Sequence, residues 1–264
     1  MESLSPERLD AYLSRIGADR PARPTAEALR DLHLRHLHTV PFENLSIHLG
    51  EDVSLAPDAL LDKILVARRG GFCFELNGAF ALLLHSLGYG VQLLEARVHP
   101  AGGGRGVPYG HLALRVEDAE GTAWLADVGF GDHSHHPLAF EERGEQKDPG
   151  GVFRIEDAAD GDLDVLQNGE AQYRLRLRPC ELADFTAAAW WHRTSPESHF
   201  TRSPVCTRLT ETGRLTLSGT TLVTTTPEAR AEHPLTTNEE VLTAYRTHFG
   251  VTLPRIPVPL LPRG

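Results

Sequence analysis

Apolar positions recur at helical spacing through the first third of the chain. Leu9, Tyr12, Leu13 and Ile16 carry this pattern over 5–17, and Leu29, Leu32, Leu34 and Leu37 over 25–37. The pattern predicts further helices over 58–67 and 73–87. From Val91 onward, apolar and polar residues alternate instead, over 91–99, 111–117, 122–128, 152–156 and 171–178, with turn-rich breaks at 101–108 and 144–151. A period of two marks half-buried strands, so this middle part reads as an antiparallel sheet or barrel. The last part carries strands over 205–210, 214–218 and 220–225, a helix over 237–248 behind the cap-like Thr236-Thr237-Asn238, and a proline-rich tail.

Where the fourth helix begins, the sequence runs Arg68-Arg69-Gly70-Gly71-Phe72-Cys73-Phe74-Glu75-Leu76-Asn77. A cysteine on the first turn of a helix faces the free backbone amides and the positive end of the macrodipole, and two arginines precede it, so the position favours a thiolate. From the local sequence, a nucleophile and a small buried apolar thiol both remain open for Cys73, while Cys180 and Cys206 read as buried apolar thiols. A nucleophilic cysteine needs a base and a group that orients the base. His111 heads one alternating strand, and Asp127 ends the next before Val128-Gly129-Phe130-Gly131. Paired across the 117–121 turn, the two strands would bring imidazole and carboxylate together.

Composition narrows the function classes. Of 264 residues, 41% are hydrophobic, which is enough for a sizeable core in one large or two to three small domains. With 26 basic against 36 acidic residues, the net charge of −10 argues against nucleic acid or an anionic membrane as the main partner. No apolar run approaches the roughly 20 residues of a membrane span, and the N-terminus lacks a basic start followed by an apolar core, so a cytoplasmic protein is expected. Three cysteines without a Cys-x-x-Cys pair indicate neither a disulfide framework nor a zinc ribbon. His133-Ser134-His135-His136 lacks a spaced fourth ligand and reads as a solvated loop, so no metal is expected. Gly102-Gly103-Gly104 lacks a Walker lysine and reads as a flexible hairpin. The carboxylate-rich stretch 141–163 reads as a solvated loop around one strand.

Five segments together resemble the arylamine N-acetyltransferase family, bacterial type: Pro41-Phe42-Glu43-Asn44-Leu45, the run 68–77, His111-Leu112, Asp127-Val128-Gly129-Phe130-Gly131, and Ser195-Pro196-Glu197-Ser198-His199-Phe200. The resemblance spans most of 1–210. It implies an α+β fold: a helical bundle over 1–88 carrying the nucleophile, an antiparallel β-barrel over 89–204 carrying His and Asp, and an α/β lid over 205–264. It makes Cys73, His111 and Asp127 a cysteine-protease-like triad, Glu43 and Arg69 a structural ion pair with a bidentate contact, and Phe42, Phe130 and Phe200 the lining of an acceptor pocket. The Gly129 and Gly131 backbone is the expected approach for coenzyme A.

The implied activity is ping-pong acyl transfer from acetyl-CoA, as co-substrate, to arylamines, arylhydrazines or arylhydroxylamines in xenobiotic metabolism. No cofactor is permanently bound, and the protein is a monomer or homodimer. Gly110 stands where many family members have threonine, a departure that bears on donor preference. An amide synthase forming a macrolactam from a carrier-bound chain is the alternative, followed by a cysteine hydrolase or transglutaminase-like enzyme.

Overall fold

The computed structural model describes residues 1–99, 104 and 106–260; half of the glycine-rich turn at 101–108, including Gly102 and Gly103, and the end of the proline-rich tail lie outside them. Three helices form as the apolar spacing predicts: α1 (Pro6–Ile16), α2 (Ala26–Thr39) and α5 (Cys73–Ser86). Hydroxyls start the first two, with Ser5 accepting from the Arg8 N–H and Thr25 from the Ala28 N–H. Gly17, at φ 67°, closes α1 in a left-handed turn that costs a glycine nothing. Helix α5 is apolar on every side, and its residues Phe74, Leu76, Ala79, Phe80 and Leu83 are fully buried, as an all-round apolar helix must be. Between α2 and α5 lie strand β1 (Phe42–Glu43) and the short helices α3 (Leu45–Leu49) and α4 (Pro57–Leu61). The helix expected over 58–67 divides: α4 gives way to a π-turn at Asp62–Val66, and the chain then leaves helical geometry at Arg68, where φ is 52°.

The middle of the chain is one antiparallel sheet of eight strands in the order β5-β4-β3-β2-β9-β8-β7-β6. These are β2 (Gly90–Val98), β3 (His111–Glu117), β4 (Ala123–Ala126), β5 (Leu138–Ala139), β6 (Gln146–Asp148), β7 (Gly151–Asp157), β8 (Leu163–Gln167) and β9 (Glu170–Cys180). The Gln146 side-chain amide joins the two edges, accepting from the Ala139 N–H at 2.8 Å and donating to the Ala139 carbonyl at 3.0 Å, so the sheet curls into a nearly closed barrel. Leu94, Ala96, Ala113, Phe153, Ile155, Val165, Tyr173 and Leu175 fill it and are wholly buried. Strand β8 is absent from the sequence expectation because its acidic flank disguises it. Asp164 faces Arg174 on β9 and takes both guanidinium arms at 2.7–2.8 Å, a cross-strand pair in place of a solvated charge. Cys180, expected as a buried thiol, is half-buried at the end of β9, whereas Cys206 is fully buried.

After β9 the chain forms α6 (Thr186–Thr194), then β10 (Val205–Thr210), β11 (Gly213–Ser218), β12 (Thr221–Thr225), β13 (Arg230–Pro234) and α7 (Asn238–Phe249). The last strands make a second antiparallel sheet ordered β1-β10-β11-β12-β13, whose core of Leu45, Cys206, Leu217, Tyr245 and Phe249 also takes in α7. Elements cross between the segments 1–88, 89–204 and 205–264. Strand β1 pairs with β10, while Phe185, Ala188 and Ala189, around the start of α6, join the core of α1, α2 and α5. Both crossings converge on the start of α5. No helix among the described residues is long and apolar enough to cross a membrane.

Candidate active site

Cys73 is held at the first position of α5 by packing on the approach to the helix. A Cβ on Gly70 would overlap the Pro41 carbonyl, and one on Gly71 would lie 2.6 Å from the Glu75 side chain, so both glycines are required by close approach. Glu75 accepts from the Phe72 N–H at 3.2 Å and meets Lys63 Nζ at 2.6 Å. Burial raises the Glu75 carboxyl, with Lys63 opposing. Alongside, the Glu43 N–H donates to the Gly71 carbonyl at 2.8 Å, fastening β1 to the same loop.

The Glu43–Arg69 pair forms as expected but with one short contact, Nε to Oε1 at 2.8 Å, rather than a fork. The remaining Arg69 donors reach Glu51 at 3.2 Å and Ser46 at 3.4 Å, and Glu43 Oε2 accepts from the Leu45 N–H at 2.6 Å. Burial would raise the Glu43 carboxyl, but Lys63 and Arg69 hold it below its ordinary value.

His111 and Asp127 meet because Leu114 on β3 pairs with Ala126 on β4. Asp118 braces their hairpin by accepting from the Glu120 and Thr122 N–H groups and the Trp124 indole. Strand β4 ends at Ala126, earlier than the expected 122–128, which frees Asp127 to turn toward the first residue of β3. His111 Nε2 lies 2.6 Å from Asp127 Oδ2, and both side chains are buried. The Cys73 side chain interacts with the same imidazole, and with Nε2 engaged by Asp127 the nitrogen left for it is Nδ1. Burial would lower the His111 pKa, but the Asp127 carboxylate raises it to about 10, with Cys73 adding to the rise. Burial would raise Asp127, yet His111 holds it well below the usual carboxylate range. Thiol, imidazole and carboxylate are thus in series inside a buried site whose carboxylate stabilises an imidazolium.

Two further residues position the triad, and the residue-by-residue sequence reading gave neither a role. Asn77 donates to Asp127 Oδ1 at 2.8 Å and to the Leu112 carbonyl at 2.6 Å, and accepts from the Val128 N–H at 2.9 Å. It sits one helical turn after Cys73, and that i, i+4 spacing was the available signal. His33 accepts from the Asp127 N–H at 3.2 Å and hydrogen-bonds the His135 carbonyl at 2.9 Å, a relation across 94 residues that no local pattern announces. The 133–136 run is not a solvated loop. His133 and Ser134 are buried, the His133 ring stacks on Tyr173 at 5.5 Å, and Asp148 accepts from the His135 and His136 N–H groups. Apolar neighbours draw His133 inward, and burial lowers its pKa to about 4.

The three phenylalanines divide between two sides of the site. Phe42 and Phe200 lie 6.0 Å apart, with Phe72 next to Phe200 at 5.7 Å, whereas Phe130 stands edge-on to His111 at 5.2 Å. An open cleft of about 610 Å³ runs from Phe130 past Asp132, Gln167, Asn168, Glu170 and Gln172. A larger one of about 710 Å³, between 52–57 and α6, contains no triad residue. Gly129 packs so closely that a Cβ would lie 2.8 Å from Cys73 Cα, and its N–H already donates to Asp127 Oδ1 at 3.0 Å. Its amide donor is thus engaged within the chain. Gly131, at φ 100°, lies over the Phe42 ring.

The family model described as N-acetyltransferase matches residues 25–257. An arylamine N-acetyltransferase / N-hydroxyarylamine O-acetyltransferase of Salmonella typhimurium is 36% identical over 220 residues, covering 80% of this chain and 76% of that protein. The solved structure of the Salmonella typhimurium arylamine N-acetyltransferase superposes with a TM-score of 0.85 at 32% identity, covering 95% of this chain and 92% of the other. The Mycobacterium marinum arylamine N-acetyltransferase in complex with CoA gives a TM-score of 0.84 at 30% identity, covering 92% of each chain.

Proposed function

The chain belongs to the arylamine N-acetyltransferase family, and on that premise we propose that it moves the acetyl group of acetyl-CoA to the nitrogen of arylamines, arylhydrazines or arylhydroxylamines through an acetyl-Cys73 intermediate. One observation carries the reading: a cysteine at a helix start shares a buried imidazole with a carboxylate 2.6 Å from its far nitrogen. In the first half-reaction the Cys73 thiolate attacks the thioester carbonyl. The carbon–sulfur bond to Cys73 forms, that to coenzyme A breaks, and the imidazolium proton of His111 goes to the departing thiolate. In the second, the amine attacks the acetyl-cysteine, His111 takes the proton from nitrogen, and Cys73 leaves as the thiolate. Asp127, oriented by Asn77 and Gly129, stabilises the imidazolium in both halves.

An exchange between thioesters is nearly isoenergetic and the amide product is more stable, so the residues need only position and move protons. Phe42 and Phe200 offer flat apolar faces for an aromatic acceptor, and the Gly131 backbone remains the approach for coenzyme A. The names of the relatives favour this reading over macrolactam formation. A panel of arylamines, arylhydrazines and arylhydroxylamines tests it. The protein should release one equivalent of free CoA from acetyl-CoA before any amine is added, and initial-rate lines at several fixed amine concentrations should run parallel. CoA release that waits for amine, with intersecting lines, would reject the acetyl-enzyme route.

A further inference from the structure

We infer that His192, on α6, is a positioning residue for the thiolate, acting through the Gly110 carbonyl that faces Cys73. The inference rests on the acetyl-cysteine reading above. His192 is buried among Phe72, Phe74 and Phe200, with ring centroids 6.3, 5.9 and 5.1 Å away. Its Nε2 lies 2.9 Å from the Gly110 oxygen, while its Nδ1 is buried without a hydrogen-bond partner. A carbonyl accepts only, so Nε2 carries the proton and donates. The ring is neutral near pH 7, since burial lowers its pKa to about 4.

The same Gly110 oxygen lies 4.0 Å from Cys73 Sγ. Its approach is fixed from behind. Tyr109 is held at φ 57° with its N–H donating to Glu95 Oε1 at 3.1 Å, Glu95 is anchored by Arg97 and Arg176, and the Gly110 N–H donates to the Val107 carbonyl at 3.0 Å. A carbonyl oxygen beside a sulfur accepts from the thiol and repels the thiolate. A second donor on that oxygen draws off its negative end, so the His192 N–H shifts the balance toward the thiolate without touching substrate. The other titratable groups around Cys73 are His111 from β3, Asp127 after β4, His133 beyond it, Glu75 with Lys63 behind the helix start, and His199 against Phe200. None of these donates to the Gly110 carbonyl in the described residues.

The experiment compares the full-length protein with His192→Phe, which keeps an aromatic ring and removes the donor, and with His192→Gln, which returns an N–H near the Nε2 position. The pH dependence of iodoacetamide inactivation and of Cys73 acetylation by acetyl-CoA is followed for each. In His192→Phe both profiles should move to higher pH by about one unit, equivalent to a rate about tenfold lower on the acid limb. His192→Gln should return to within about threefold of wild type. If the phenylalanine variant does not fold, His192→Asn serves, because its shorter amide falls short of Gly110 and should show the same shift while His192→Gln does not. A wild-type profile in His192→Phe, or a folded His192→Gln as impaired as His192→Phe, would overturn the inference. Failure of the wild type to acetylate at Cys73 would instead overturn the acetyl-cysteine reading.

Discussion

Asp127→Asn should give a folded protein whose acetyl transfer is slower by about three orders of magnitude. The Asn77 amide and the Gly129 N–H both contact Asp127 Oδ1, and an asparagine carbonyl can keep those two bonds. What it cannot keep is the acceptor at Oδ2. An amide N–H there faces His111 Nε2, forces that nitrogen to accept, and moves the ring proton to Nδ1, where the Cys73 thiol needs a base. The imidazolium also loses its counter-charge. Melting temperature and single-turnover formation of acetyl-Cys73 separate the two effects: a small change in the first with a collapse of the second is expected. Near-normal transfer with only a lower melting temperature would make Asp127 a structural turn residue.

Arg69→Ala should destabilise the protein by about 3–5 kcal/mol at neutral pH, the cost of leaving a buried carboxylate without its partner. Glu43 is wholly buried, and Lys63, 4.0 Å away, would remain its only cation within salt-bridge range among the described residues. The sign with pH follows from that change. In the wild type the Glu43 carboxyl is held low in the fold, so its contribution is present above the unfolded carboxyl range and is lost as pH falls through the folded value. Without Arg69, burial would dominate and raise the folded value above the unfolded one, so the variant should lose stability as pH rises from about 5 to 7. Urea midpoints of both proteins across that range check this. A deficit that does not depend on pH would place the role of Arg69 in packing rather than charge.

The parts of this molecule that follow local rules were legible in its sequence. The apolar stripe of α1 and the alternation of β2, β3 and β9 repeat on a short period, and the threonine cap of α7 stands directly before its helix. Cys73, His111 and Asp127 sit at element ends, where turn residues announce them. Less legible were features that depend on long-range pairing. Strand β8 hides behind Asp162 and Asp164 because the Asp164 charge is paired with Arg174 on the neighbouring strand β9. His33 reaches Asp127 only after α2 packs on the barrel, and His192 reaches Gly110 only after α6 folds back over α5. Cys180 failed for a related reason: a thiol reads as apolar anywhere, and its half-exposed place follows from β9 running past the end of its neighbour. The glycines at 70, 71 and 129 are required because another atom occupies the space of a Cβ, a close approach that only the folded chain shows.

Intact-protein mass spectrometry after mixing with acetyl-CoA alone tests the central claim most directly. The protein should gain one acetyl group, mapped by peptide digestion to Cys73, lost when an arylamine is added, and never formed by Cys73→Ala. Acetylation at Cys180 or Cys206, or none at all while amine is still turned over, would contradict the account.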